Sequence, residues 1–154
     1  GSAEKRAVLK ARGAHHVIDY RAGFRDEVKR ITQGRGADVI YDPVGGDVFD
    51  ESVRCIAFDG RLLIVGFTSG RIPTVGVNMP LIKGFSVVGV RAGEYGRQFP
   101  ERGAENIAAI ERLAEEGKIK PHIGLSVPLS RAVEAFRALA ARQVVGKAVV
   151  TFER

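Results

Sequence analysis

The sequence has few of the residues that mark disulfide-bonded, membrane-embedded or metal-clustered proteins. Its 154 residues include one cysteine, one methionine and no tryptophan. The lone Cys55 excludes an internal disulfide framework and fits a reducing compartment. No apolar run approaches the ~18 residues of a membrane span, and no signal-peptide pattern opens the chain. These absences predict a cytoplasmic protein with no membrane partner.

The sequence also lacks the spacing of a metal site. Its three histidines are His15, His16 and His122. Adjacent histidines in an extended segment point to opposite faces, and no cysteine or glutamate stands at ligand spacing. We therefore predict no metal site. No Ser-His-Asp or Cys-His arrangement can be defended either, so the catalytic residues stay unknown from the sequence.

The charge balance is basic, with 24 lysines and arginines against 18 acidic residues and a net charge of +6. The basic residues are dispersed along the chain, which disfavours a nucleic-acid partner. They are more frequent in the first 30 residues, and such a local bias suits a small ligand that carries phosphate.

Strand-like and helix-like patterns alternate along the first 90 residues. Helices are predicted over residues 3–12, over 24–32 and after Gly46, because apolar residues recur there at helical spacing. Strands are predicted at 16–19, 37–42, 61–65 and 85–90, the last of them buried. Alternation of this kind indicates right-handed βαβ units and a parallel sheet with helices on its faces.

The remainder of the chain is less regular. Residues 68–80 form a looser segment, residues 91–100 a polar loop and residues 105–116 a helix. Two prolines and the lack of a period place a segment boundary near 119–128. Ser130 is expected to cap a helix that runs to about residue 142, and a final strand follows at 148–152.

Two strand ends carry glycines. The stretch 37–46 ends in Asp42-Pro43-Val44-Gly45-Gly46, and the stretch 62–70 continues through Gly66-Phe67. Ligands of parallel sheets bind beyond the carboxyl ends of the strands, so these turns predict a binding crevice. Asp42 is expected to orient the loop amides of this turn. The G-x-G-x-x-G turn that binds pyrophosphate in a complete dinucleotide domain does not occur in the sequence.

Five stretches together resemble the medium-chain dehydrogenase/reductase superfamily, and within it the zinc-independent NADPH:quinone oxidoreductase branch. They are residues 1–6, 13–20, 36–46, 60–67 and 146–150. The resemblance implies an α/β fold, a Rossmann-like parallel sheet with flanking helices that is incomplete at its N-terminal side. It further implies a C-terminal fragment, with a partial NAD(P)-binding domain at 1–119 and a segment at 120–154 that returns to a catalytic domain.

The resemblance also implies cofactor contacts at the start of the chain. Lys5 would pair with the 2′-phosphate of NADPH, Ser2 would add a hydroxyl donor, and Tyr20 would reach the same phosphate. A cation at this place favours NADPH over NADH. The alternatives are a solvated helix lysine, a plain helix cap and a surface aromatic residue.

Further contacts are implied at the strand ends. Val44 and Gly45 would lie against the middle of the cofactor, while Gly66 and Phe67 would line the nicotinamide pocket. The alternatives are an ordinary turn for the glycines and core packing for Phe67. Lys147 lies at the last helix-to-strand turn, where members of the family make a polar contact with the cofactor. The alternative is an ordinary lysine exposed to solvent.

The function that the resemblance implies is hydride transfer from NADPH to a quinone or an activated alkene, by a cytoplasmic homodimer that pairs through a sheet edge. The fragment itself is expected to be inactive. Two alternatives stay open: a zinc-dependent alcohol dehydrogenase of the same superfamily, and a non-catalytic nucleotide-binding or oligomerisation module.

Overall fold

A computed structural model describes residues 2–152, which divide into two compact units between Tyr95 and Gly96. The boundary predicted at 119/120 has a different meaning: it separates the cofactor domain from residues 120–154, which are expected to return to a catalytic domain. That boundary stays a prediction. Gly1, which the resemblance places in a strand-to-helix turn, lies outside the described residues. Across residues 2–152, none of the helices has the length and apolar character needed to cross a membrane.

The first unit is built around a parallel sheet. The strands are β1 (Ala37–Asp42), β2 (Ile56–Ile64) and β3 (Ser86–Gly89), and within the described part of the chain their order is β1-β2-β3. The helices are α1 (Ala3–Ala11), α2 (Arg25–Ile31), α3 (Gly46–Cys55) and α4 (Asn78–Lys83), with α5 (Ala92–Gln98) across the division. The predicted α/β class with parallel strands and flanking helices is confirmed.

The core of the first unit forms where α3 packs against the sheet. Phe49, Val53, Ile56, Leu62 and Phe85 are buried together, and Leu62 has no exposed surface. The first three recur at the i, i+4, i+7 spacing that predicted this packing, although Ile56 already begins β2. Burial of each large side chain contributes about 2 kcal/mol, so this contact fixes α3 against the ends of β1 and β2.

Local signals correctly predicted the first two helices. Ser2 caps α1, because its Oγ accepts a hydrogen bond from the backbone N–H of Lys5, and Gly13 follows the helix with a φ of 94°. The bounds of α2 fall within one residue of the predicted 24–32. A side-chain oxygen that accepts a helix amide and a glycine with positive φ are the usual ends of a helix.

Three predictions for the first unit were wrong. Residues 16–19 make no strand, because no described strand pairs with them. Residues 92–98 form α5 where a polar loop was expected, and α4 was missed. The strand at 86–89 exists, but all four of its residues are exposed because it lies at the edge of the sheet. Within β2, Asp59 has a φ of 61°, and its N–H donates to the Gly84 carbonyl.

The second unit contains α6 (Pro100–Glu115), β4 (Ile123–Pro128), α7 (Ala132–Ala140) and β5 (Lys147–Thr151). The strands β4 and β5 pair in parallel, and α7 packs on both. The sequence missed β4, because two prolines obscured its pattern. Ser130 does not cap α7: it lies in a 3-10 turn, and the capping position is Arg131.

A crevice at the carboxyl ends of two strands

The loops that leave β1 and β2 are hydrogen-bonded to each other beyond the ends of the strands. The N–H of Thr68 donates to the carbonyl of Pro43 at 3.2 Å, and the N–H of Ser69 donates to the carbonyl of Val44 at 3.0 Å. At this carboxyl edge of the parallel sheet the two loops hold one another in place, and the crevice predicted there stays a prediction. This edge is where ligands of such sheets bind.

A buried carboxylate holds the first of these loops. Asp42 is 2% exposed, and its Oδ1 accepts the N–H of Val44 at 2.8 Å and the N–H of Gly45 at 2.9 Å. Its Oδ2 is buried and has no hydrogen-bond partner among residues 2–152. The expectation that Asp42 orients the amides of this loop is confirmed.

Glycines allow the two loops to pack closely. A Cβ on Gly45, whose φ is 68°, would lie 3.0 Å from the ring of Phe67, and a Cβ on Gly66 would lie 3.3 Å from the Pro43 carbonyl. Both distances are tighter than ordinary carbon contacts. Because Gly45 is buried and protein atoms already occupy these directions, glycine is what lets the backbones of the two loops approach each other.

The second loop is tied to the start of α3. Arg71 Nη2 donates to Asp47 Oδ1 at 2.9 Å and to Asp50 Oδ2 at 2.5 Å. Phe67, on the same loop, is 41% exposed, so it is not a core residue and presents an apolar face at the rim. The sequence analysis missed this contact of Arg71, because no local pattern links residues more than 20 positions apart.

The residues predicted to contact the 2′-phosphate lie near the start of the first unit. Ser2 Oγ is used as the helix cap of α1, and Lys5 lies in the first turn of that helix, half-buried. Arg6 Nη1 donates to Asp19 Oδ2 at 2.7 Å and thereby ties α1 to the segment that ends at Tyr20. Tyr20 is 50% exposed. Their contact with a phosphate stays a prediction.

The carboxylate of Asp19 organises this segment. Its hydrogen bonds with Arg21, whose Nε and Nη2 donate at 2.8 and 2.5 Å, hold the pKa of Asp19 well below its ordinary value. The hydrogen bond from Arg6 reaches the same carboxylate. The hydrogen bonds that the ionised Asp19 accepts from Arg6 and Arg21 therefore hold in place the backbone directly before Tyr20.

Lys147 is separated from the other predicted site residues, because it begins β5 in the second unit. Its backbone N–H donates to the His122 carbonyl at 2.8 Å, and its side chain is exposed. The structure brings Val44, Gly45, Gly66 and Phe67 to one edge of the sheet, and it leaves the contact of Lys147 with a cofactor untested.

No group of three histidine, cysteine, aspartate or glutamate side chains is placed to hold a metal anywhere in residues 2–152. The thiol of Cys55 is 1% exposed, and its burial raises its pKa, as expected for an inert thiol.

Comparison with known proteins finds relatives of this chain. A family model described as zinc-binding dehydrogenase matches residues 12–150. The chain is 38% identical over 96% of its length to a quinone oxidoreductase-like protein 2 homolog of Nematostella vectensis, of which it covers 41%. It is 33% identical over 97% of its length to a quinone oxidoreductase of Pseudomonas aeruginosa, of which it covers 46%.

A solved mycobacterial structure in complex with NADPH superposes with a TM-score of 0.83 and 30% identity, over 97% of this chain and 47% of that one. The chain therefore spans less than half the length of the relatives it matches.

Proposed function

Because this chain belongs to the zinc-binding dehydrogenase family of the medium-chain dehydrogenase/reductase superfamily, we propose that its protein is an NADPH-dependent reductase of quinones or activated alkenes. Relatives named as quinone oxidoreductases support this class of reaction, and so does the related structure that contains NADPH. The reduced nicotinamide would supply the hydride, and the residues of this chain would bind and orient the carrier.

The observation that carries the proposal is the pair of loops held together at the carboxyl ends of β1 and β2. In the proposed complex, Val44 and Gly45 lie against the middle of the cofactor, and Gly66 and Phe67 border the nicotinamide. Glycines at positions 45 and 66 let the two loops pack closely, since a Cβ would meet Phe67 or Pro43, and this packing fixes the backbone that the cofactor would contact. The apolar face of Phe67 would keep water away from the path of the hydride.

The adenosine end of the cofactor is proposed to lie at the start of α1. The first turn of this helix offers the hydroxyl of Ser2 and the ammonium of Lys5, and the segment tied to the helix through Arg6 and Asp19 carries Tyr20. The positive end of the helix dipole adds to the charge of Lys5. The charge of Lys5 favours a nucleotide with an extra phosphate. Lys147 is proposed as a separate polar contact of the cofactor.

Assembly and location complete the proposal. We propose a homodimer that pairs through β3, since the outer edge of this strand has no partner in residues 2–152 and its side chains are exposed. A cytoplasmic location is proposed on the grounds of the single, buried, reduced cysteine. Residues 120–154 are proposed to contact a catalytic domain, and the 154-residue chain by itself is proposed to be inactive.

Nucleotide titration tests the binding part of the proposal. The protein should bind NADPH more tightly than NADH, measured by the change in nicotinamide fluorescence. Lys5→Ala should weaken the binding of NADPH by about tenfold, the usual effect of losing a charge-assisted hydrogen bond, and leave NADH unchanged. Lys29→Ala is the matched control, because it removes an exposed lysine on α2. Equal affinity for both nucleotides would contradict the assignment of NADPH.

Turnover tests the reaction. Consumption of NADPH, followed by its absorbance, should accelerate when 1,4-benzoquinone or a cyclic enone is added to the protein. Alcohol-dependent reduction of NADP+ that a chelator abolishes would instead support the zinc-dependent alcohol dehydrogenase. Tight binding without turnover on either substrate class would support the non-catalytic module.

A further inference from the structure

The buried carboxylate of Asp42 has a feature that the fold alone does not require. One oxygen, Oδ1, accepts the N–H groups of both Val44 and Gly45, and the other oxygen is buried without a partner in residues 2–152. An asparagine could accept the same two hydrogen bonds through its single carbonyl oxygen. The two hydrogen bonds therefore require an oxygen acceptor at position 42, which asparagine would also provide. They do not explain why the residue is an aspartate, whose carboxylate can carry a negative charge.

The position of this charge is defined by the two loops. The carbonyl of Asp42 accepts the N–H of Val65 at 3.0 Å, so Asp42 ends β1 directly beside the end of β2. Gly45 follows Asp42 by three positions, and Gly66 follows Val65 directly. In the proposed complex the cofactor lies at this edge of the sheet, so an ionised carboxylate here would act on it at short range, and burial would strengthen its field because little water screens it.

We propose that Asp42 is a positioning residue that also favours the oxidised, positively charged form of the nicotinamide ring; this rests on the proposed function. In the reaction, a hydride leaves the reduced ring with both electrons of its C–H bond and joins a carbon or oxygen of the acceptor. The ring becomes a cation, and the acceptor takes a proton from water. A fixed negative charge beneath the ring stabilises the charge that develops as the hydride leaves.

The Asp42→Asn variant separates charge from hydrogen bonding, because it keeps an oxygen for the two N–H groups. The measurement is the ratio of the dissociation constants of NADP+ and NADPH. We expect this ratio to rise about threefold to tenfold in Asp42→Asn, since only the oxidised ring is attracted by the lost charge. The control is Asp26→Asn, which removes a carboxylate that is 82% exposed on α2, and the ratio should hardly change.

The positioning role has its own readout. Hydrogen exchange at the amides of Val44 and Gly45 should accelerate in Asp42→Ala, where both lose their acceptor, and stay slow in Asp42→Asn. Unchanged exchange in a folded Asp42→Ala protein would overturn the positioning role.

An unchanged ratio in an Asp42→Asn protein that still binds both nucleotides would overturn the charge role and leave the proposed function intact. If the unmodified protein bound neither nucleotide, the proposed function would fail and the charge role with it.

Discussion

The ammonium group of Lys83 donates a hydrogen bond of 2.6 Å to the backbone carbonyl of Val53. This carbonyl belongs to the last turn of α3, where helix carbonyls have no partner within the helix. Lys83 itself ends α4, so the contact fastens the missed helix α4 to the helix that carries the core. Partial burial lowers the pKa of Lys83, which shows that the ammonium is drawn out of water to make this contact.

Replacing this lysine should loosen the end of α3. Lys83→Met keeps most of the apolar stem and removes the donor, and we expect the free energy of unfolding to fall by about 1 kcal/mol. Cys55, the only cysteine of the chain, lies buried two residues beyond Val53 and reports opening of this turn. Its labelling by a thiol reagent under native conditions should accelerate in Lys83→Met and stay unchanged in Lys118→Met, which alters an exposed lysine of the second unit. Equal labelling rates in both variants would show that the hydrogen bond from Lys83 to Val53 does not stabilise the end of α3.

Glu51 gives the protein a predicted dependence of stability on pH. Its Oε2 accepts the N–H groups of Phe24 and Arg25 at 2.8 and 2.9 Å and thus caps α2 from α3. These two backbone hydrogen bonds lower the pKa of Glu51 from its ordinary value of 4.5. A lowered carboxyl pKa contributes stability that is present above 4.5 and is lost as the pH falls through the folded-state value.

Glu51→Gln should therefore cost about 1 kcal/mol at pH 7, a modest figure because water screens the site. The difference from the unmodified protein, measured by urea unfolding, should shrink as the pH falls below about 4.5. Glu111→Gln, at an exposed position of α6, is the matched control and should follow the unmodified protein at every pH. A difference that stays constant down to pH 3 would contradict this role.

Gly45→Ala tests whether the two loops need a glycine at this position. The φ of 68° disfavours alanine, and the added Cβ would lie 3.0 Å from the Phe67 ring, so we expect a loss of about 2 kcal/mol in the free energy of unfolding. The affinity for NADPH should fall as well, because accommodating the methyl group beside Phe67 shifts the loops that the cofactor is proposed to contact. Gly93→Ala is the control: its Cβ would meet nothing within 4 Å, and it lies in α5, where alanine favours the helix.

The proposed dimer can be broken at the open edge of the sheet. The N–H of Val90 donates to Ile64 in β2, so the N–H of Val87, an odd number of positions away, points to the other side. Val87→Pro removes this donor and should convert a dimer to a monomer, as measured by light scattering after size exclusion. Phe136→Ser, which removes an exposed ring in the second unit, should leave the mass unchanged. A clean monomer of the unmodified protein at micromolar concentration would contradict the dimer.

Local residue patterns correctly predicted those helices and turns whose formation depends on only a few neighbouring residues. The helical spacing of Phe49 and Val53 predicted α3, and the glycine pair after Asp42 predicted the turn that follows β1. The failures have a common cause. Residues 16–19 have a strand-like composition, but a strand exists only through its neighbour, and no described strand pairs with them. The polarity of α5 suggested a loop because its faces are solvated.

The sequence alone determined the α/β class and the glycine turns that follow β1 and β2 at the carboxyl edge of the sheet. These properties follow from short-range spacing and from the steric freedom of glycine. Only the tertiary structure decided which groups meet there: the Asp42 carboxylate beneath both loops, the pairing of Arg71 with Asp47, and the cap that Glu51 places on α2. Such contacts join residues that are distant along the chain, and the packing of α3 against the sheet creates them.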